Sequence, residues 1–488
     1  MGFSMLSFSQ ETEKISASFL FNYYEQDGIH SAVEGGKGTQ RLESFDNKLL
    51  VNIPIKKGTV SAMGAVDYYT SASTLNVDKY VTSASTGTSE VSGKETRYYF
   101  NLAYLANLEK DQKLGLKIGL SSEFDVLSFQ VGTNYQKNLA NKNALIKIGF
   151  NASFDRIKEV FPGELRESIL SNYGVPDGTY TNNNSNYGGS SGGSSGGSGS
   201  GSGGNSGGGS GVSGGGSGSE SGGSGSGSGG GSGGSDSGSG SSGKKEGQLA
   251  SNSGSSGSNY NTEKAFDYTF NRRYTYSLNL RYDQNITKRL KSNFWSDITL
   301  QHGLLSIPFN RVYFNDFELD ETKKLVKVEK LPSYRVKFGI AGQLNYFVHE
   351  MLIPKIYSRV YIDSWGIIAS STSVEAVFRP FNFLSVTPFY RFHIQQGAKY
   401  FEVYGLHKPK SEYYSSDYDL SSLNTHKFGL SLSIHPLEGM FPIKIKKKKQ
   451  QKIGFIGIKS FNIRLAHYVR SDQLRANSFS VGITVAEF

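Results

Sequence analysis

Cysteine is absent from this chain of 488 residues. That excludes disulfide frameworks, thiolate zinc sites, iron–sulfur clusters and cysteine nucleophiles together. Also absent is any apolar run of about 18 residues or more, the length a membrane-spanning helix needs. Tryptophan is scarce, at 2 residues, yet the chain holds 29 Tyr and 31 Phe at a mean hydropathy of −0.40. A chain rich in aromatics but without long apolar runs spreads its apolar residues one in two, the spacing of β-strands.

Glycine is concentrated in one place. Of 60 glycines, 30 lie in the nearly pure Gly/Ser tract from Gly188 to Gly243. With no side chains to bury, such a tract is a flexible coil spanning roughly 40 Å root-mean-square for about 56 residues. Outside it, segments of alternating apolar and polar residues recur. In Ala144–Asp155, Ile146, Ile148, Phe150, Ala152 and Phe154 share one face, with Lys147, Gly149, Asn151 and Ser153 on the other. Lys113–Ser121, Tyr274–Tyr282, Val336–Tyr346 and Lys427–Ile434 repeat the pattern.

About sixteen such segments start near residues 14, 44, 59, 96, 113, 126, 144, 273, 289, 333, 352, 368, 383, 424, 453 and 476. Their connections alternate in length. Lys56–Gly58, Glu109–Gln112, Ala140–Asn143, Thr287–Lys288, His349–Met351 and Pro380–Asn382 are tight, whereas Glu25–Glu43, Ser71–Glu95, Arg156–Arg272, Leu304–Pro332 and Gly397–Leu423 are long. Glu123–Asp125 and Asp363–Gly366 are short members of the long set. Short turns at one end and long loops at the other, on strands of about 9–11 residues or more, predict an all-β fold: a single transmembrane antiparallel β-barrel of about 16 strands with long extracellular loops. Two soluble β domains of seven and nine strands are the rival; they leave the alternation of connection lengths unexplained.

The expected organisation is a signal-peptide remnant at 1–10, seven barrel strands over 11–155, a long extracellular loop over 156–272 enclosing the tract 188–243, and nine strands over 273–488. The opening MGFSMLSFSQ resembles the tail of a secretory signal. Ser478–Phe488 alternates and ends on Phe, like the strand read by the barrel-assembly machinery, although Phe479, Val481, Ile483 and Val485 are out of phase with Phe488 unless a bulge lies near Ala486.

Opposite the apolar faces lie Lys48, Asp67, Arg97, Lys113, Lys117, Lys147, Arg281, Asp297, Arg335, Lys337, Lys355, Arg359, Glu375, Arg379, Arg391 and Lys427, bases outnumbering acids by about four to one. The candidate lumen residues are Lys117, Lys147, Arg281, Arg335, Lys337, Arg359, Glu375, Arg379, Arg391 and His393. They read either as an anion-attracting lining or as a ladder of ion pairs bracing the barrel. The lone histidines lack a second ligand at metal spacing, and no nucleophile elbow or catalytic triad is present, so no cofactor, metal or enzymatic activity is expected. Lys444–Lys449, broken only by Ile445, lies on the short-turn side, where a solvated turn, anionic headgroups or a periplasmic partner fit better than nucleic acid.

Several motifs resemble an uncharacterised Bacteroidetes outer-membrane β-barrel family, the domain of unknown function 3570. They include Tyr23-Tyr24-Glu25-Gln26-Asp27-Gly28, Ser31-Ala32-Val33, Asp67-Tyr68-Tyr69-Thr70-Ser71-Ala72-Ser73, Thr82-Ser83-Ala84-Ser85, Arg311-Val312-Tyr313-Phe314, Asp363-Ser364-Trp365-Gly366, Pro388-Phe389-Tyr390-Arg391 and Ser416-Asp417-Tyr418-Asp419-Leu420. The resemblance runs from about residue 12 to 488 apart from the Gly/Ser tract. It implies a cell outer-membrane barrel of a Gram-negative, Bacteroidetes-like bacterium and carries no established activity. The motifs fall at the loop ends of strands, so Asp27, Ser71, Ser73, Ser83, Ser85 and Asp417 are either turn chemistry that orders the loops or a recognition surface over the mouth. The expected function is a pore or transporter for a small polar, anionic solute. The alternative is a non-conducting subunit of an outer-membrane complex. Expected partners are outer-membrane lipid, the assembly machinery, and other outer-membrane proteins or lipoproteins.

Overall fold

The structure, a computed structural model, describes residues 14–71, 94–109, 111–139, 143–162, 164–165, 269–315, 325–436, 439–446 and 453–487. The first half of the ring is β1 (Ser16–Asp27), β2 (Leu42–Ile55), β3 (Gly58–Ser71), β4 (Lys94–Glu109), β5 (Gln112–Ser122), β6 (Val126–Leu139), β7 (Ala144–Glu159), β8 (Thr269–Asn285) and β9 (Leu290–Gly303). Two short strands follow in a connection, β10 (Arg311–Tyr313) and β11 (Val326–Val328). The ring resumes with β12 (Tyr334–Tyr346), β13 (Leu352–Asp363), β14 (Ile368–Phe381), β15 (Leu384–Gln396) and β16 (Leu423–Ile434). After β17 (Met440–Lys446) it ends with β18 (Ile453–Arg470) and β19 (Arg475–Glu487).

Each ring strand pairs antiparallel with its neighbours, and β1 pairs with both β2 and β19, so the sheet closes on itself. Closure leaves no edge, the condition for crossing a bilayer with strands. Sixteen strands make the ring: β1–β9, β12–β16, β18 and β19. Every one begins within four residues of its predicted start. The large difference in expectation falls on the basic turn. Part of it, β17, is a strand that pairs with Ile453–Ile458 of β18, just beyond the stretch of β18 taken by β16. Lys444 and Lys446 therefore sit in a strand rather than a solvated turn, and 447–449 lie outside the described residues.

The period-2 pattern places a belt of apolar side chains on the outside all round the ring. Leu116, Ile118 and Leu120 of β5 are 51–56% exposed, and Leu49, Phe100, Phe150, Leu278, Ile340, Val360, Ile394, Leu430 and Leu465 continue the belt. A closed ring with an unbroken apolar exterior is stable only when that surface is in lipid. The chain is thus a transmembrane β-barrel. Among the described residues, the buried apolar clusters lie in the inner wall and among the loops rather than at the centre.

The connections keep the expected asymmetry, with a third short member on the long side, Ser471–Leu474. The long connection after strand seven runs from 160 to 268, since β7 and β8 each extend past the predicted 156–272 limits. The phase of the last strand needs no bulge at Ala486. Register between β19 and β1 is unbroken from Arg475 to Ala486, and the irregularity lies instead in β18, between Ile458 and Ser460.

Candidate functional site

Inward positions line up in rows across neighbouring strands, because side chains that share a face in one strand face their register partners in the next. One row runs Tyr357–Ser373–Arg391–Lys427–Tyr468 over β13, β14, β15, β16 and β18. The row above it, nearer the long loops, runs Arg359–Ser371–His393–Thr425–Arg470.

Many lumen charges are answered by acids on the same strand or on strands nearby in the wall. Arg281 binds Asp283 at 2.8 Å, Arg359 binds Asp297 at 3.0 Å and Arg335 binds Asp363. Glu375 lies between Lys355 at 3.7 Å and Arg464 at 3.9 Å. His393 is buried, its Nδ1 2.7 Å from Ser371 Oγ. Lys147 faces Arg281 across β7 and β8, and Lys337 faces Asp363 across β12 and β13. Lys117 is inward on β5, and Arg379 is exposed towards the short turns. Arg391 has no ion pair or hydrogen bond among the described residues.

The expected excess of bases is reduced by carboxylates not foreseen. Asp46, Asp155, Asp283 and Asp363 all point inward. Asp155 accepts from Ser128 and Ser153 at 2.6 and 2.7 Å and from Arg273 at 2.8 Å. Carrying the alternation of each strand to its last residue places these acids inward from the sequence alone.

At the long-loop end the connections fold into a cap. The β1–β2 and β9–β12 connections leave the rim eight strand positions apart in the ring of sixteen, on opposite sides of the mouth. They nevertheless touch: Arg311 Nη1 donates to the Val33 carbonyl at 2.8 Å. The same guanidinium binds Glu164 of the β7–β8 connection at 2.5 and 3.1 Å. Ser416 of the β15–β16 connection donates to the Arg311 carbonyl at 2.6 Å. Four connections from around the rim therefore meet at one residue and cross the mouth.

Local pattern explains how β10 does this. Arg311 and Tyr313 share one face and Val312 and Phe314 the other; the apolar pair is fully buried, with Phe314 edge-on to Tyr414 at 4.8 Å. Tyr313 packs on Gly35, where φ is +76° and a Cβ would stand 2.4 Å from the ring, so only glycine fits. His30 stacks on Tyr418 at 3.8 Å and Lys37 lies 3.6 Å over Tyr404. At the rim, Trp365 packs with Leu331, Ile367 and Leu420 beneath Arg335, whose guanidinium is 4.0 Å from the indole. Arg470 is held by Asp419, by Asp472 at 2.5 Å and by the Tyr418 carbonyl at 3.1 Å.

Two carboxyls are buried inside the cap. Glu329 accepts from Ile307 N at 2.7 Å and from Ser415 Oγ, and burial pushes its pKa up to about 7. Asp417 is raised by burial and by Asp419 and Glu329 nearby; its Oδ1 accepts from Asp419 N at 2.9 Å. Asp417 is thus an internal capping residue of the loop, not surface-exposed. Asp27, at the end of β1, accepts from Gly28 N at 2.9 Å, and Ser71 closes β3. Ser73, Ser83 and Ser85 lie outside the described residues. Among the described residues no three His, Asp or Glu side chains converge to hold a metal ion.

Residues 229–447, a little under half of the chain, match the family model described as "Protein of unknown function (DUF3570)". No curated protein matches. Similar solved structures include Pseudomonas aeruginosa OccK1 (OpdK), at 5% identity and TM-score 0.36 over 97% of this chain and 98% of that one. The siderophore receptor PirA of the same organism is 7% identical, with TM-score 0.36 over 98% and 81%. A bacterial polysaccharide outer membrane secretin is 7% identical, with TM-score 0.37 over 98% and 100%. The assignment as a barrel rests on the strand pairing above.

Proposed function

We propose that the protein is an outer-membrane channel of a Gram-negative, Bacteroidetes-like bacterium, passing a small polar anion and gated at its long-loop mouth by the cap around Arg311. The observation that carries this reading is the pairing of a cationic inward wall on β12–β18 with a folded cap that crosses the mouth at a single arginine. Rings of basic side chains bias a pore towards anions. Where the loops meet one another across the mouth the joint is a few hydrogen bonds around Arg311, and contacts so few can open locally.

Planar-bilayer conductance with the reversal potential under a salt gradient tests the proposal. The wild type is expected to open rarely, and Arg311→Gln to conduct more often by about tenfold with anion preference retained. Each net hydrogen bond to a charged group is worth about 1.5–3 kcal/mol, and a factor of ten is about 1.4 kcal/mol. Silence from both folded barrels overturns the channel reading and favours a non-conducting subunit.

A further inference from the structure

At the short-turn end one hairpin runs on past a neighbouring strand. β15 starts at Leu384, level with Ile434 at the foot of β16, whereas β18 reaches down to Ile453 with β17 beside it. The outer face of this hairpin continues the lipid-facing belt. Ile483 and Val485 share the outer face of β19, and their partners on β18 are Phe461 and Ile458. Ile456 follows on the same face, and β17 sets Met440 and Ile443 against Ile458 and Ile456. Phe441 and Ile443 are 79% and 69% exposed, more than any other large apolar side chain among the described residues. Register breaks on both strands at one level, between Met440 and Ile443 on β17 and between Ile458 and Ser460 on β18. Such bulges bend a strand and re-aim its side chains, and these release Phe441, at φ +54°, and Lys459 from the ladder.

The edge of the bilayer is marked beside the bend. Phe381 and Phe383 at the β14–β15 turn are exposed and stacked at 5.5 Å, as girdle aromatics are, and the Phe383 carbonyl accepts from His435 N at 2.7 Å. The charge on the hairpin has one sign. From Gly439 to Lys459 the sequence holds 7 lysines and no Asp or Glu. Lys444 and Lys459 are exposed, and 447–449 and 452 lie outside the described residues. Across the ladder, β19 brings Glu487 opposite Ile456.

We infer that the β17–β18 hairpin is a binding site for anionic phospholipid of the leaflet on the short-turn side, with Phe441, Ile443 and Ile456 against the acyl chains and Lys444 and Lys459 at the phosphate. Continuity of the apolar face with the belt selects lipid over a water-borne partner. Lysines, Pro442 and bulges are also the devices that keep an edge strand from pairing with another chain. Lys444 lies on the face opposite Ile443, so the strand is apolar towards the chains and cationic towards the headgroups. A lysine stem lies along apolar surface while its ammonium reaches the interface, and each such cation is attracted to an anionic leaflet. The inference stands apart from the channel reading.

The probe is Phe441→Trp in the full chain, with folding verified by heat-modifiable gel mobility. The bilayer is phosphatidylcholine with a minority of phosphatidylglycerol, one lipid or the other brominated on its acyl chain. Brominated chains quench an indole they touch, and the native Trp295 and Trp365, both buried, give a background measured in wild type. Quenching is expected to favour phosphatidylglycerol by about fivefold or more. Lys444→Gln combined with Lys459→Gln should remove most of that preference while leaving the indole quenched. With the lysines intact, about 0.5 M salt should weaken the preference as well, since the Debye length is then a few ångström. Equal quenching by the two lipids, or a preference untouched by both salt and the paired substitutions, overturns the inference. So does an indole that neither lipid quenches, which leaves the surface to a water-borne partner. Inorganic phosphate at matched ionic strength is expected to change nothing; loss of the preference would assign the lysines to a free anion and overturn the inference too.

Discussion

Arg470 and Arg391 point inward from the same wall, in adjacent rows, yet they stand in opposite circumstances. Arg470, at the edge of the cap, is buried and held by two carboxylates and a carbonyl. Arg391, one row deeper, faces Lys427 and has no ion pair among the described residues. The difference teaches what charge does at each depth. At the rim it fastens loops to strands and is consumed in doing so. One row deeper, two cations are register partners and no carboxylate stands in their row.

The comparison can be broken most forcefully at the rim. Arg470→Ala leaves Asp419 and Asp472 without their cation, and removing one partner of a buried pair costs about 3–5 kcal/mol. The midpoint of urea unfolding in detergent should fall accordingly, and an unchanged midpoint would mean that the pairs do not fasten the cap.

A smaller effect is expected from acidity inside the cap. Glu329 has its carboxyl raised from the usual 4.5 to about 7. The folded cap therefore holds that proton more tightly than the open loops do. Its contribution is fully present below about pH 4.5 and is lost as pH rises through about 7, with Asp417 acting in the same sense. Hydrogen exchange at the amides of Ile307, Lys330 and Tyr414, corrected for the intrinsic rate, should show less protection at pH 8 than at pH 5. Glu329→Gln should remove most of that difference. Protection that rises with pH in wild type would reverse the sign and refute the account.

The smallest effect has the opposite sign. Arg391→Gln removes a like-charge pair across β15 and β16 and should stabilise the anion-free barrel by about 0.2–1 kcal/mol. Differential scanning fluorimetry in low-salt buffer without oxyanions would register it. Destabilisation would place Arg391 with Arg470 as a structural cation and erase the contrast.

Much of this could be read from the chain before any coordinates. Ile148 and Phe150 outside with Lys147 and Asn151 inside follow from alternation alone, as do the sixteen strands and the two kinds of connection. The site was less legible. Arg311-Val312-Tyr313-Phe314 and Ser416-Asp417-Tyr418-Asp419-Leu420 stand out as motifs, but nothing within either says that the Ser416 hydroxyl meets the Arg311 carbonyl 105 positions away. The acids Asp155, Asp283 and Asp363 lie at or near strand ends, where the periodic signal fades into the turn.

The sequence by itself determined which residues face lipid and which face the lumen, because side-chain alternation is a local property of extended backbone and needs no partner strand. Only the tertiary structure decided which loops meet across the mouth and which inward cations find an acid. Those depend on ring closure and on register between strands that may be hundreds of residues apart in the chain, such as β1 and β19, and a shift of a single residue would turn every pair to the other face.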